Sequence, residues 1–427
     1  MNREEIEAIL ENSDLDDEIP NDSVSEDEED EISEVGSVYD PNLSEGTDEE
    51  EEVSARQQDV SGVFPSKNGK YMWSNKPVLS GAGRRAKENV INTAPGTTRY
   101  AIARTDDIKS SFLLFMPPDI VKIVIEMTNI EGQSVFGHNW VEVDSITLEA
   151  YFGLLLLAGV FRSHGEALEC LWDDRKGRPI FKSTMSLRRF QNISRVLRFD
   201  NKSDRNERRS RDKLAPIRDV WNHWEGNIKK MYNPGECTTV DEQLVTFRGR
   251  CPFKQYIPSK PGKYGIKIWV LCDSQTSFAW SLQVYTGKDR NCKPEKEQGR
   301  RVVLDLVKDM QGRNVTCDNF FTSHELGIEL LKRKITLVGT VRKNKTFLPA
   351  EITKLKKKPE NYAHFFFDNI NKTTIVGYVP KKNRAVYLLS TLHNNVEINA
   401  NTKKPEIIDF YNKTKSGVDT LDQGNKP

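Results

Sequence analysis

Four aspartates have the side-chain type and the spacing that divalent-metal chemistry requires. Asp419 and Asp422 stand three residues apart in GVDTLDQ, so on a helix their carboxylates share one face. Carboxylate oxygens suit Mg²⁺, and two such ions about 4 Å apart promote phosphodiester chemistry. Asp241, Asp318 and Asp419 are the predicted metal ligands, with Asp422 as a fourth catalytic acid. On spacing alone, the favoured interpretation is that they are ordinary acids at strand ends or turns and at a helix N-terminus, where the macrodipole favours them.

Two kinds of periodicity divide the chain into a helical part and a strand-rich part. From about Asp106 to Tyr232 apolar residues recur at helical spacing, as in PPDIVKIVIEMTN and MSLRRFQNISRVLRF. After Tyr232 the stretches CTTVDEQLVTF, KYGIKIWVLCD and FAWSLQVYT predict three strands, followed by helices that alternate with two further strands. The order β-β-β-α-β-α-β predicts an α/β (α+β) fold with an RNase H-like layout.

That layout predicts where two of the four acids meet. The first and fourth strands of such a sheet are neighbours, about 4.8 Å apart. Asp241 lies on the first strand and Asp318 at the end of the fourth, so their carboxylates should converge. Two adjacent like charges are costly unless a cation lies between them. The sequence therefore predicts a divalent metal at this edge of the sheet.

The chain is acidic at its beginning and basic afterwards, although its net charge is zero. Of its 63 Asp and Glu residues, 23 lie in residues 1–52 beside one basic residue, which leaves 62 Lys and Arg against 40 acids. A segment such as SEDEEDEISEVGSVYD repels itself and has few large apolar residues. Residues 1–98 are therefore predicted to be a disordered acidic tail and linker, with a charge suited to basic or chromatin partners.

The cysteines and the apolar stretches exclude two other classes of protein. The six cysteines are scattered without a Cys-x-x-Cys pair, which predicts a reducing compartment and no zinc site in this chain. The longest apolar stretch, YFGLLLLAGVF from Tyr151 to Phe161, is shorter than the roughly 18 residues of a membrane span. It is predicted to be a buried core helix, and no membrane partner is expected.

Two basic segments are candidate contacts with double-stranded DNA. Between Lys182 and Lys213 eleven Lys and Arg residues stand against four acids, and a second basic segment follows the first predicted strand. Basic residues that neutralise phosphates release counterions, which favours DNA, although a solvated basic face is the alternative. The candidate residues are Arg188, Arg189, Arg195, Arg198, Arg248, Arg250, Lys254, Lys260, Lys263 and Lys267.

Five stretches, in family order, resemble the piggyBac family of transposases and the proteins domesticated from them. The resemblance spans about Asp106 to Gln423. It is carried by GRPIFKSTMSLRRFQNISRVLRFDNKS, DEQLVTFRGRCPFKQYIPSKPGKYGIKIWVLCDS, NVTCDNFFTS, TLVGTVRKNK and FYNKTKSGVDTLDQ. The four family acids of the DDE motif fall on Asp241, Asp318, Asp419 and Asp422.

The resemblance implies an architecture and an ancestral activity. It implies a helical dimerisation and DNA-binding region before an RNase H-like catalytic domain that carries an insertion. It also implies cut-and-paste DNA transposition at TTAA sites with Mg²⁺ or Mn²⁺ and admits a homodimer. The DNA chemistry and basic runs such as GRRAK predict a nuclear location. The predicted boundaries are 1–98 for the tail, 106–236 for the helical region, 237–345 for the catalytic domain, 346–405 for a strand-rich basic insertion and 406–427 for the last catalytic motif.

One departure from the family bears on activity. Family members continue past DTLDQ into further helices and a cysteine-rich zinc module, so this sequence resembles a carboxy-terminally truncated member. Isolated helices shorter than about 12 residues are marginal in water, so we expect the segment of Asp419 to fray and autonomous catalysis to be weak. A domesticated DNA- or chromatin-binding protein without catalysis is the alternative, and an active transposase would need the missing helices from elsewhere.

Overall fold

The computed structural model describes residues 62–77, 90–163, 165–258, 260, 262–287 and 295–424. The described residues form two compact units, one of residues 116–224 and one that comprises the other described residues up to 115 and from 225 onward. Residues 1–61, which include most of the predicted acidic tail, and the basic run 83–87 lie outside the described residues.

The first unit is helical, as the periodicity predicts. Its longest helix opens with Pro118 in the first turn, where a missing N–H costs nothing, and ends at Gly137, whose φ of 55° suits glycine. Ile120 and Val124 of this helix lie in the core of the unit. The helices in chain order, including two that precede the unit and one that leads out of it, are α1 (Arg99–Ile102), α2 (Ile108–Phe115), α3 (Pro118–Phe136), α4 (Ser145–Val160), α5 (Leu168–Trp172), α6 (Pro179–Thr184), α7 (Leu187–Val196), α8 (Arg205–Arg211) and α9 (Arg218–Met231).

The apolar stretch from residue 151 to 161 is helical, but it is not a fully buried core helix as predicted. Within α4, Leu154 is 1% exposed, whereas Leu156 is 57% and Val160 75% exposed. Helices α3 and α6 contact α4, and these exposed residues of α4 are not covered by them. The prediction was wrong because an all-round apolar composition does not tell which sides of a helix have neighbours. No helix in the described part of the chain is both long enough and apolar enough to span a bilayer.

The second unit is built on one large mixed sheet, which confirms the predicted fold class. The described strands are β1 (Val63–Pro65), β2 (Met72–Ser74), β3 (Gly96–Thr97), β4 (Tyr232–Asn233), β5 (Cys237–Thr246), β6 (Gln255–Tyr256), β7 (Tyr264–Asp273), β8 (Ala279–Val284), β9 (Asn314–Cys317), β10 (Thr336–Thr340), β11 (Ala363–Asp368), β12 (Thr373–Lys381) and β13 (Arg384–Ser390). The sheet order is β1-β2-β11-β12-β13-β10-β9-β5-β7-β6, with β8 paired to β7, while β3 and β4 form a separate pair. The helices α10 (Gln298–Leu306), α11 (His324–Lys332), α12 (Glu406–Thr414) and α13 (Gly417–Gly424) complete the unit.

The strands after residue 346 extend the central sheet. The strand β13 pairs antiparallel with β10, and β12 and β11 follow outward. The segment 346–405 is therefore strand-rich as predicted, but its strands share the sheet of the catalytic region. Alternating and β-branched patterns predict strands without predicting which strands they pair with, and the domain boundaries themselves stay predictions.

Part of the predicted disordered tail is folded. The strands β1 and β2 form a hairpin whose second strand pairs with β11 through Ser74 and Phe367. Trp73 of this hairpin is 0% exposed. Residues 96–97 also pair with β4. The disorder prediction was wrong for these residues. The acidic composition that supports disorder ends at residue 52, but the prediction was extended to residue 98 and so included the short strands that follow.

Candidate active site

Two of the four predicted acids lie side by side at the centre of the sheet. The strands β5 and β9 run parallel, with Val240 opposite Cys317. Asp241 and Asp318 are each the next residue along the chain, so both stand at the carboxyl edge of this strand pair. Neighbouring strands are about 4.8 Å apart, and both side chains are half-buried. The predicted pairing of the first and fourth strands is confirmed.

The pKa values of both carboxyl groups are raised above their ordinary values. Burial, with smaller contributions from Asp318 and Glu242, raises the pKa of Asp241 to about 8. Burial and Glu242 also raise the pKa of Asp318 to about 6, against hydrogen bonds that Phe320 and Phe321 donate. The Glu242 N–H donates to Asp241 Oδ1 at 2.8 Å. Two carboxyl groups that resist ionisation next to each other are relieved by a bound cation.

The other two acids lie on α13, and threonines fix the segment before it to the sheet. Thr239 Oγ1 of β5 donates to Thr414 O at 2.5 Å, and Thr316 of β9 bonds Thr414 Oγ1 at 2.8 Å. Gly417 begins α13 directly against β5, because a Cβ there would stand 2.8 Å from Thr239 Oγ1. The expected fraying is not what the structure shows, since residues 417–424 form a helix packed against β5 and β7.

The helix α13, which carries Asp419 and Asp422, packs against β7 and against β5, the strand that carries Asp241. Burial raises the pKa of the Cys272 thiol, and the charges of Asp241, Asp419 and Asp422 add to the effect. Asp422 Oδ2 also lies 3.8 Å from Lys260 Nζ. The structure thus brings the helix acids to the β5–β7 side of the acid pair.

The site offers oxygen ligands to a divalent metal but not a complete cage. In the described ranges, no three His, Cys, Asp or Glu side chains are close enough to hold an ion together. The donor chemistry nevertheless fits a hard cation, because Asp241 and Asp318 offer carboxylate oxygens from adjacent strands. The acid pair fits a metal, and the α13 acids stand near it without completing a cage.

Sequence reasoning missed Glu242, which takes part in the electrostatics of the site. Its carboxylate lies 3.3 Å from Lys267 Nζ, and its carbonyl oxygen accepts from Lys260 Nζ at 3.1 Å. The only signal was its position beside Asp241 in VDEQL. Lys260 and Lys267, predicted to contact DNA, are thus placed inside the site and paired with its acids.

The remaining basic residues of the second segment differ in exposure. Arg248, Arg250 and Lys263 are exposed, whereas Lys254 is half-buried and donates to Gly249 O at 3.3 Å. Exposed cations can meet a phosphate without losing an internal partner. The three exposed residues are therefore the better candidates for DNA contact.

The four arginines of the helical unit divide in the same way. Arg188 and Arg195 are exposed on α7. Arg189 donates to Val141 O and Glu142 O at 2.6 and 2.9 Å, and burial lowers its pKa. Arg198 pairs with Glu131 at 2.9 Å. Arg189 and Arg198 therefore connect α7 to neighbouring segments through hydrogen bonds and an ion pair. The helical periodicity of the sequence shows which residues are arginines but not which of them have internal partners.

A mixed sheet with one acid inside a central strand and a second just after the parallel strand beside it, followed by a helix with two more acids, is the RNase H-like arrangement of DDE-type transposases. The chain belongs to the Transposase IS4 family, which matches residues 109–425. Membership of a DDE transposase family implies divalent metal use in general. Within that family, the comparisons place this chain among piggyBac-type transposases and their derivatives.

Three relatives support this assignment. The cryo-EM structure of a piggyBac transposase synaptic complex with hairpin DNA matches with a TM-score of 0.72 and 36% identity over 78% of this chain and 70% of that chain. PiggyBac transposable element-derived protein 3 of Homo sapiens is 23% identical over 78% of this chain and 57% of its own length. PiggyBac transposable element-derived protein 2 of Homo sapiens is 24% identical over 55% of this chain and 42% of its own length. The chain spans roughly half the length of these two curated relatives.

Proposed function

We propose that this protein binds double-stranded DNA and that Asp241, Asp318 and Asp419 hold Mg²⁺ or Mn²⁺ for phosphodiester chemistry, with Asp422 as a further acid. The observation that carries the proposal is the side-by-side placement of Asp241 and Asp318 on parallel strands, with the α13 acids on the β7 side. The transposase–DNA complex of the structural relative supports DNA as the substrate class.

Each part of this site has a chemical role under the proposal. A bound divalent cation would stabilise the charge that develops on the phosphate and on the leaving oxygen. The adjacent carboxylates of Asp241 and Asp318 supply negative charge on a rigid strand pair, and Lys260 keeps Asp422 directed towards the sheet. Strand-held ligands stay within a fraction of an ångström of their positions, on which rates depend steeply.

The proposal is tested with duplex DNA that contains TTAA. The full chain should nick or join this DNA in Mg²⁺ or Mn²⁺ and lose the activity in EDTA. Asp318→Asn should reduce the rate at least about 100-fold, since a ligand of this kind contributes several kcal/mol of transition-state stabilisation. DNA affinity measured in EDTA should be unchanged, which separates loss of chemistry from loss of binding. Equal cleavage by the Asn variant would exclude Asp318 as a ligand.

A second candidate function is DNA binding without catalysis. It is favoured by one observation, that no three metal-binding side chains lie together in the part of the chain that the structure describes. Tight DNA binding in both EDTA and Mg²⁺, with no cleavage product in either, would support this second function over the first.

The exposed arginines after β5 provide a separate prediction for either function. Arg248→Ala combined with Arg250→Ala should weaken binding to all duplex sequences alike and reduce the slope of log K against log salt by about 2, because each phosphate contact contributes about 1. Affinity is measured by fluorescence anisotropy at salt concentrations from about 50 to about 300 mM. A change of about 2 in the slope of log K against log salt can be detected over this range. Lys308→Ala, at an exposed residue after α10, is the control and should leave the slope unchanged. A double variant with the slope of the parent chain would remove these arginines from the DNA interface.

A further inference from the structure

The hairpin of residues 62–77, named here the strap, stands outside the family match at residues 109–425 and yet is built into the second unit. Its strand β2 adds to the sheet beside β11. Its turn is fixed to a distant loop, since Lys67 N–H donates to Leu348 O at 2.9 Å and Asn68 N–H to Thr346 O at 3.1 Å. The strap is therefore a folded part of the catalytic unit.

Two of the three aromatic side chains of the strap, Tyr71 and Trp73, lie near the beginning of α11. Trp73 is 0% exposed, and its Nε1–H donates to Phe347 O at 2.9 Å. Tyr71 donates its hydroxyl to Glu325 Oε1 at 2.9 Å. Glu325 is the second residue of α11, so the strap bonds directly to the first turn of that helix.

The first residue of α11, His324, is enclosed by the strap and by β11. Its side chain is 0% exposed, and Nε2 lies 3.0 Å from Asp368 Oδ2. The imidazole centroid is 4.1 Å from the ring of Tyr71 and 5.4 Å from that of Trp73. A buried polar ring of this kind is costly to place unless its neighbours fix it, so the strap and Asp368 together define its position.

The position of His324 determines one end of the loop that begins with Asp318. The loop is short and internally bonded: the Phe320 N–H donates to Asp318 Oδ1 at 2.9 Å and Thr322 Oγ1 to Asp318 O at 2.6 Å. Ser323 then caps α11 by accepting from Leu326 N–H at 3.1 Å. If α11 shifted at His324, the turn from Asp318 to Ser323 would shift with it, and the Asp318 carboxylate would change position.

We propose that the strap, acting through His324, positions the Asp318 loop for divalent-metal binding. Tyr71, Trp73, His324 and Asp368 are positioning residues, since the contacts described for them are with one another, with α11 and with Phe347, and not with the four acids. The inference rests on the proposed function for the role of Asp318 as a ligand. It assigns a role in the site to a segment outside the family match.

The test compares variants of the full chain by two measurements. His324→Leu removes the nitrogen that faces Asp368, whereas His324→Gln can return a donor to that place. Tyr71→Phe removes the bond to Glu325 with little change in volume, and Met72→Ala is the matched control, because Met72 is 55% exposed on the same strand. Mn²⁺ affinity is measured by electron paramagnetic resonance, and hydrogen exchange is measured for residues 318–323 against 314–317 in the neighbouring strand.

The expected result is local. His324→Leu should weaken Mn²⁺ binding about tenfold, the lower range for the loss of a group that orients a ligand, and speed exchange in residues 318–323 but not in 314–317. Tyr71→Phe should act in the same direction, His324→Gln should recover most of the affinity, and Met72→Ala should match the parent chain.

Several outcomes would overturn the proposal. Unchanged exchange in residues 318–323 for both His324→Leu and Tyr71→Phe would do so, as would equal affinities for His324→Leu and His324→Gln. If His324→Leu does not fold, Tyr71→Phe decides by the same measurements. If the parent chain binds no Mn²⁺, the proposed function fails, while the exchange measurement still decides whether the strap holds the Asp318 loop.

Discussion

Asp241→Asn is expected to abolish metal-dependent DNA cleavage and to stabilise the metal-free protein. The loss of activity should be at least about 100-fold, because a carboxylate that holds the metal contributes several kcal/mol to the transition state. The gain in stability follows because burial, with smaller contributions from Asp318 and Glu242, disfavours the ionised form of this side chain. The two effects have opposite signs, which a merely damaged fold would not produce.

The expected sign of the change in stability follows from the pH dependence of the free energy of unfolding. In the folded protein the pKa of Asp241 is raised to about 8 from an ordinary value of 3.8, so the folded state binds more protons than the unfolded state between these values. The free energy of unfolding therefore falls as pH rises through this window. Asn cannot ionise, so the variant should lose this part of the pH dependence and be more stable at pH 8 by on the order of 1–3 kcal/mol.

Urea unfolding of both proteins in EDTA from pH 5 to pH 9 measures the effect, and added Mn²⁺ provides the control. A cation favours the ionised carboxylate, so Mn²⁺ should stabilise the parent chain and leave Asp241→Asn nearly unchanged. Parallel stability curves for the two proteins across this pH range would show that Asp241 is not strained in the metal-free fold.

Gly417→Ala is expected to displace α13 and to destabilise the protein by about 1–3 kcal/mol, the usual cost of forcing extra atoms into a packed site. The added Cβ would stand 2.8 Å from Thr239 Oγ1 and 3.4 Å from Asp273 O. Thr239 has little room to move, because its hydroxyl bonds Thr414 O and Ser274 Oγ. Since Asp419 is two residues further on, Mn²⁺ affinity should fall together with stability.

The same helix offers a matched control for this substitution. A Cβ at Gly424 meets nothing within 4 Å, so Gly424→Ala should leave Mn²⁺ affinity unchanged and stabilise the helix slightly, since alanine favours helices over glycine by up to about 1 kcal/mol. Thermal unfolding and Mn²⁺ titration distinguish the two variants. Equal behaviour of both would mean that the contact of α13 with β5 does not position Asp419.

The central part of the fold was predictable because its patterns are local. β-Branched runs with turn residues between them predicted β5, β7 and β8, and the rule for crossovers then placed Asp241 beside Asp318. The family resemblance, confirmed by the match over residues 109–425, is what singled out the four acids as candidates among many others. Spacing alone could not have separated them from ordinary strand-end and helix-start residues.

The features that were missed depend on contacts between distant residues. The strap was not predicted because three-residue strands carry little periodicity and become stable only when Trp73 is buried beside Phe347. The internal roles of Arg189 and Lys267 were missed because composition describes charge and not its partners. The exposed side of α4 was missed for the same reason, since hydrophobicity does not specify a neighbour.

The pairing of Ser74 with Phe367 has a consequence for how the chain folds during synthesis. The ribosome completes β2 long before β11. Trp73 therefore lacks its final contacts, such as the one with Phe347, until most of the sheet has been synthesised. Contacts between such distant residues slow folding and leave apolar strands open to wrong pairing. We therefore expect a late step in refolding, reported by the fluorescence of Trp73, in which the first strands of the chain dock last.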